Sequence, residues 1–169
     1  MLSCHGGGVD AERFRWYNTG RTGGGAWVSS KASNIVKPDG MPNREAIREM
    51  IAASGLVILR STVCTLPDWV VPTIYPDIEA DRWGFVQEIM SSAPCEIGVV
   101  EGEGAIRTLF ELCGTSIDPA RCAVGTIRAR FGVKGRLGVG DRWYYHNVIH
   151  RPRDGAELER ELDIERRLR

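Results

Sequence analysis

The apolar positions change period along the chain, and those changes mark out its elements. Ser33-Asn34-Ile35-Val36-Lys37 reads as a short strand that stops at Pro38-Asp39-Gly40, a turn composition. Ile47, Met50 and Ile51 then recur at helical spacing behind Asn43, a capping residue, and Gly55 is placed to end that helix. Residues 56–65 are rich in β-branched side chains and predict a second strand. Short helices are predicted over 67–73 and 83–90, the latter with Trp83, Val86 and Met90 on one face, and Tyr75-Pro76-Asp77 forms the loop between them. Residues 95–101 predict a third strand. After Gly104 the period changes again: Ile106, Leu109, Phe110 and Cys113 sit at i, i+3, i+4 and i+7, which puts Phe110 on an apolar face, and Gly114 closes the helix. A glycine-punctuated stretch over 132–140 delays a last strand, whose alternation runs through 144–149 and is stopped by Pro152 just after His150. Asp154, with Glu157 three residues on, caps a final helix whose apolar pairs are Leu158/Leu162 and Ile164/Leu168. Glu157, Glu159 and Glu165 read as its solvated glutamates.

The resulting order is β-α-β, two short helices, then β-α-β-α. A split pair of β-α-β units predicts an α+β fold of the ferredoxin-like βαββαβ kind, a four-stranded antiparallel sheet with helices packed on one face. Residues 1–32 differ in character. Gly6-Gly7-Gly8 and Gly23-Gly24-Gly25 bracket a polar segment around Arg13, Arg15 and Arg21, the composition of a flexible amino-terminal extension preceding a domain over 33–169. Trp16, Tyr17 and Trp27 are the groups able to pin it. Gly20 to Gly25 lacks the Gly-Lys-Ser/Thr ending of a phosphate-cradling loop, and no helix pattern follows.

Bulk properties narrow the partners. A chain of 169 residues suits one domain with a sizeable core. Net charge is zero, so any phosphate-bearing partner must meet a local cluster of cations, and no basic stripe with interleaved aromatics points to nucleic acid. No apolar run reaches the length of a membrane span, and the amino terminus has no signal-peptide core. Five widely spaced cysteines include no Cys-x-x-Cys pair, which predicts reduced thiols and a cytoplasmic location, with Cys64, Cys95 and Cys113 as small core residues.

His150 is the residue on which chemistry converges. At a strand end a neutral imidazole can act as nucleophile or base, and Arg151 and Arg153 beside it are able to meet phosphate oxygens. Glu161 follows eleven residues later; if the last helix packs back on the strand, its carboxylate can fix the imidazole tautomer. Lys37 ends a strand before a tight turn, and Arg128 follows Gly125-Thr126-Ile127; both suit a phosphate. Tyr75 and Trp83 can stack on a nucleobase. Each also has an ordinary structural reading: a hydrogen-bonded strand histidine, solvated charges, a core tryptophan. Asp39 and Glu101 are candidates for binding Mg²⁺ through water.

Five segments in order carry a resemblance: Val36-Lys37-Pro38-Asp39-Gly40, Met90-Ser91-Ser92-Ala93-Pro94, Glu101-Gly102, Gly125-Thr126-Ile127-Arg128 and Asn147-Val148-Ile149-His150. Completed by Glu161, they resemble the nucleoside diphosphate kinase family over about residues 33–165. The resemblance implies ping-pong transfer of the γ-phosphate of a nucleoside triphosphate to a diphosphate through a phosphohistidine at His150. It implies phosphate contacts from Lys37 and Arg128, a sugar contact from Asn147, and orientation of the histidine by Glu161. It further places Tyr75 near the histidine, Trp83 on the base, and Arg82 and Ser116 near the phosphates. Mg²⁺ carried by the nucleotide phosphates, ATP/ADP and GTP/GDP as substrates, and a homo-oligomer are also implied. The chain departs from the family at defined points. Phe110 stands where the family has a second phosphate-binding arginine, Arg151-Pro152-Arg153 replaces Gly-Ser-Asp and its assisting serine, the loop over 130–144 is longer, and the turn after Gly40 is shorter. Arg151, Arg153 and Arg107 are near enough in sequence to restore charge. A nucleotide-binding or scaffolding module on the same fold, with catalysis weakened, is the second reading these departures allow.

Overall fold

In the computed structural model, which describes residues 29–169 except 79, 140 and 141, and no side chains at 80–83 or 139, β1 (Lys31–Val36) lies inside a four-stranded sheet. Its partners are β2 (Val57–Cys64), β3 (Cys95–Glu101) and β6 (Ile149–His150), in the order β2-β3-β1-β6, and every adjacent pair is antiparallel. This is the ferredoxin-like arrangement expected. The two central strands are the most buried because both of their faces are covered: β1 from Ala32 to Val36 and β3 from Cys95 to Val100 are buried throughout. Gly98 faces Asn34 across this pair, and a Cβ there would come within 2.7 Å of the Asn34 Oδ1.

Helices cover both faces of the sheet, not one. On the first, α1 (Arg44–Ala53) and α4 (Ala105–Cys113) bury Ile47, Ile51, Ile106, Leu109 and Cys113 against Ala32, Val36 and Val100. On the second, α2 (Val70–Ile74) and α3 (Ala80–Met90) bury Val70, Val71, Ile74, Val86 and Met90 against Ile35, Cys95 and Ile97. The helix α6 (Gly155–Arg167) crosses the β6 edge, with Leu158 in the first cluster and Ile164 in the second. Pattern reading located one amphipathic stripe per helix, but it does not say which side of the sheet receives that stripe. The cap of α6 is as expected: the Asp154 carboxylate accepts from the Glu157 N–H at 2.9 Å.

Three expectations need correction. The alternation at 144–149 is not one strand. Residues Arg142–Tyr144 form β5, which pairs with β4 (Leu137–Val139) in a hairpin where a structureless loop was expected, and only Ile149 and His150 join the main sheet. A reversal at Val148, described below, separates the two. Glu157 and Glu165 are buried, not solvated: Arg153 holds the first, Arg60 and Arg169 the second. The glycine-rich segment assigned to 1–32 lies outside the described residues through position 28, as do Trp16, Tyr17 and Trp27; the strand itself begins earlier than position 33. The carbonyls of Ser29 and Ser30 accept from the N–H groups of Ala105 and Gly102, which ties that edge to the start of α4.

Leu109 is fully buried between α4 and the sheet. Leu109→Ala is expected to destabilise the fold by about 2–5 kcal/mol, while Glu111→Ala on the exposed side of the same helix stays within about 0.5 kcal/mol. Urea denaturation of both variants checks this; equal losses contradict the packing described.

Candidate active site

The geometry of the site begins with one unusual backbone angle. Val148 has φ of 60°, alone among the described non-glycine residues in adopting the left-handed region, where a β-branched side chain is strained. Its surroundings enforce that conformation. The Lys37 N–H donates to the Val148 carbonyl at 2.9 Å, and the Val148 N–H donates to Asp39 Oδ2 at 3.1 Å. Gly40 lies against the same carbonyl, and any Cβ there would stand 2.3 Å from the Val148 oxygen. The sequence Lys-Pro-Asp-Gly is thus a clamp on the residue before the last strand. Once turned, the chain pairs His150 with Ile35 of β1.

His150 is buried, and its Nε2 lies 2.8 Å from Glu161 Oε1 on α6. The hydroxyl of Ser33, on β1, donates to the other oxygen of that carboxylate. An ionised carboxylate only accepts, so the Nε2 carries the ring proton in this pair, and the Nδ1 is left with its lone pair. The ring of Tyr75 meets the imidazole edge-on, with centroids 5.2 Å apart and planes at 84°. Ser33 was not legible as part of this group, since a serine in a buried strand carries no sequence signal of its partner. It supplies a hydroxyl that the segment after His150 lacks.

Lys37 is 2 % exposed. Its ammonium donates to the Tyr144 hydroxyl and sits 4.4 Å from the centre of that ring. Burial lowers its pKa from the ordinary 10.5 to about 8; Asp39 opposes the shift and Arg128 adds to it. Burial likewise pushes the Tyr144 phenol well above its usual range. Tyr144, from the hairpin, is a second member of the site not anticipated.

Arg128 lies in the first turn of α5 (Ile127–Phe131). Its guanidinium donates to the carbonyls of Gly114 at 3.2 Å, Ser116 at 2.8 Å and Ile149 at 3.0 Å, and its Nε is buried with no hydrogen-bond partner. It therefore joins the end of α4, the loop after it and the histidine strand in one contact set. Ser116 accordingly lies beside Arg128, although its hydroxyl accepts from the Asp118 N–H at 3.1 Å. Asn147 donates from Nδ2 to the Ile117 carbonyl at 2.9 Å, and its Oδ1 is buried without a partner. Phe110 is half-buried, and the Arg151 guanidinium stacks on its ring. The structure thus brings together Lys37, Tyr75, Ser116, Arg128, Asn147, His150 and Glu161. Arg82 and Trp83 belong to α3, and their side chains lie outside those described. Among the described residues no three His, Cys, Asp or Glu side chains group in a way that could hold a metal ion.

Chemically, the arrangement presents one nucleophilic nitrogen on a fixed imidazole, flanked by buried cations. Comparisons with known proteins identify the family. The family model for nucleoside diphosphate kinase matches residues 30–165. A nucleoside diphosphate kinase of Corynebacterium glutamicum is 32% identical over 134 residues, covering 77% of this chain and 91% of that protein. The structure of the Aquifex aeolicus nucleoside diphosphate kinase superposes with a TM-score of 0.68 at 25% identity, covering 80% of this chain and 93% of the other. That of the Borrelia burgdorferi enzyme, a transition-state mimic with bound vanadate and ADP, gives a TM-score of 0.67 at 23% identity over 79% and 84% of the two chains. A match across most of the chain, on the fold just described, establishes that the protein belongs to the nucleoside diphosphate kinase family.

Proposed function

We propose that the protein moves the γ-phosphate of a nucleoside triphosphate to a nucleoside diphosphate in two steps, through a phosphohistidine at His150. The observation that carries this reading is the chain from Ser33 through Glu161 to His150, which leaves the Nδ1 lone pair as the group able to attack. In the first half-reaction Nδ1 forms a bond to the γ-phosphorus as the bond to the bridging oxygen breaks, and the diphosphate leaves. In the second, a terminal oxygen of the acceptor diphosphate attacks the same phosphorus and the P–N bond breaks. Glu161 holds the Nε2–H and offsets the positive charge that grows on the ring.

Lys37 and Arg128 are assigned to the phosphates, Asn147 to the sugar hydroxyls, Tyr75 to the edge of the imidazole, and Trp83 to the base, with Arg82 and Ser116 at the phosphate end. The Borrelia burgdorferi relative, with vanadate and ADP bound, supports a nucleotide as the ligand of this fold. Mg²⁺ supplies charge neutralisation on the nucleotide phosphates that carry it. Asp39, whose Oδ1 has no hydrogen-bond partner, would help hold that ion through water. The missing arginine at 110 and serine at 152 weaken the enzyme without silencing it on this account. Removing one preorganised donor costs about 2.7–4 kcal/mol, against the roughly 8–23 kcal/mol by which enzymes lower barriers. We place the protein in the cytoplasm, consistent with free Cys64, Cys95, Cys113 and Cys122. No helix among the described residues is long and apolar enough to cross a membrane. A homo-oligomer is supported by the edge strand β2, whose outward Val57, Leu59 and Val63 are 62%, 40% and 47% exposed.

Incubation with γ-labelled ATP and Mg²⁺ is expected to give an acid-labile, base-stable label that His150→Ala abolishes; an unlabelled wild type refutes the reading. Glu161→Gln keeps the nucleophile but loses the carboxylate, and is expected to slow labelling by roughly 10²-fold or more; labelling at the wild-type rate refutes the role of Glu161. Lys37 is cationic only below about pH 8, so kcat/KM should fall as pH rises through that value, and Lys37→Arg should move the fall beyond it. The sign for stability is the reverse. Because the folded chain holds fewer protons at Lys37 than the unfolded one between about 8 and 10.5, this group makes stability rise with pH over that window.

A further inference from the structure

Three arginines stand close enough in sequence to His150 and Phe110 to supply charge at the site, and their surroundings separate them. Arg107 is exposed and donates to Glu111 at 3.0 Å. Arg153 is bound to Glu157, donating from Nε at 2.6 Å. Arg151 differs from both. It is 7% exposed, no ion pair joins it to a carboxylate among the described residues, and its Nε is buried with no hydrogen-bond partner. Its guanidinium carbon lies 3.8 Å from the centroid of the Phe110 ring on α4.

A buried guanidinium is normally matched by an acceptor, because leaving its N–H groups unpaired forfeits their hydration. Here the aromatic face holds the planar cation but accepts none of its in-plane donors. The neighbourhood adds more positive charge. Burial and then Arg128 lower the Arg151 pKa to about 10, so the group remains charged at neutral pH, with Glu157 opposing the shift and Arg153 adding to it. Arg128 has its own buried, unpartnered Nε and donates to the carbonyl of Ile149, two residues before Arg151. Two like charges, each with an unpaired donor, flank the histidine strand. Such a pair is completed by an anion with several oxygens.

We propose that Arg151, shelved on Phe110, is a further phosphate-binding cation of this chain, contacting the phosphate chain of the bound nucleotide beside Lys37 and Arg128. This assignment rests on the phosphoryl-transfer reading for the identity of the anion. Phe110 then has a definite role, since its ring holds flat a cation that arrives from the histidine strand, where the α4 position itself provides no charge. Pro152 contributes by restricting Arg151 to extended backbone.

The test is binding, measured by calorimetry with ADP and Mg²⁺ and, by competition, with adenosine, which has the same base and sugar and no phosphate. Arg151→Ala is expected to weaken ADP by about tenfold or more while adenosine affinity stays within about twofold. Arg151→Lys, which keeps the charge but loses the planar fork, should fall between wild type and Arg151→Ala, and Phe110→Leu should weaken ADP less than Arg151→Ala does. Wild-type ADP affinity in Arg151→Ala, or equal losses of ADP and adenosine, overturns the proposal. Should Arg151→Ala fail to fold, Arg151→Gln replaces it: a loss for ADP with Gln that exceeds the loss with Lys supports the assignment, and equal affinities overturn it. The outcome is independent of turnover. A wild type that binds ADP through Arg151 yet takes no label at His150 would refute the phosphohistidine and leave the phosphate contact standing.

Discussion

The site depends on the contact between the Lys37-to-Gly40 turn and Val148. Two hydrogen bonds and the absence of a side chain at Gly40 hold a β-branched residue at φ of 60°. Strain of this kind costs about 1–3 kcal/mol and persists only where the surroundings over-determine it. Its consequence is directional. The reversal ends the run of alternating residues after Tyr144, returns Ile149 and His150 to β1, and brings the imidazole against Glu161 of α6. A relaxed backbone at 148 would continue the hairpin strand and carry the histidine away from the sheet.

Electrostatically, the same region gathers Lys37, Arg128 and Arg151 in a chain with no net charge. All three are buried, and burial is the largest cause lowering the pKa of Lys37 and of Arg151. Nearby carboxylates are largely committed: Glu161 to His150 and Ser33, and Glu157 to the backbone N–H and guanidinium of Arg153. The cations are therefore only partly compensated by the protein, which fits a pocket whose remaining negative charge arrives with the ligand. Tyr144 covers the Lys37 ammonium meanwhile, and its own phenol is kept neutral by burial.

Much of this was legible in the sequence, for identifiable reasons. Residues 95–101 announced β3 and Ile106 to Cys113 announced α4, because each runs long enough to show one period. His150, Glu161, Lys37, Arg128 and Asn147 could be singled out by residue type and order. What escaped was long-range or conformational. Ser33 sits 128 residues from Glu161, and no local pattern links them. Val148 reads as an ordinary strand residue until its backbone is seen. The carboxylate of Glu165 looked solvated because nothing along α6 indicates Arg60, which arrives from β2. Phe110 was read onto the apolar face of α4, yet it joins neither core cluster, and pattern alone could not reveal that its ring carries an arginine.

The central claim is that Glu161 occupies the Nε2 of His150 and thereby makes Nδ1 the nucleophile. Nitrogen-15 and phosphorus NMR of the protein labelled from ATP tests it most directly, since the two phosphohistidine isomers have distinct couplings. The account predicts phosphorus on Nδ1 with Nε2 still protonated and bonded to the carboxylate. Phosphorus on Nε2 would contradict it.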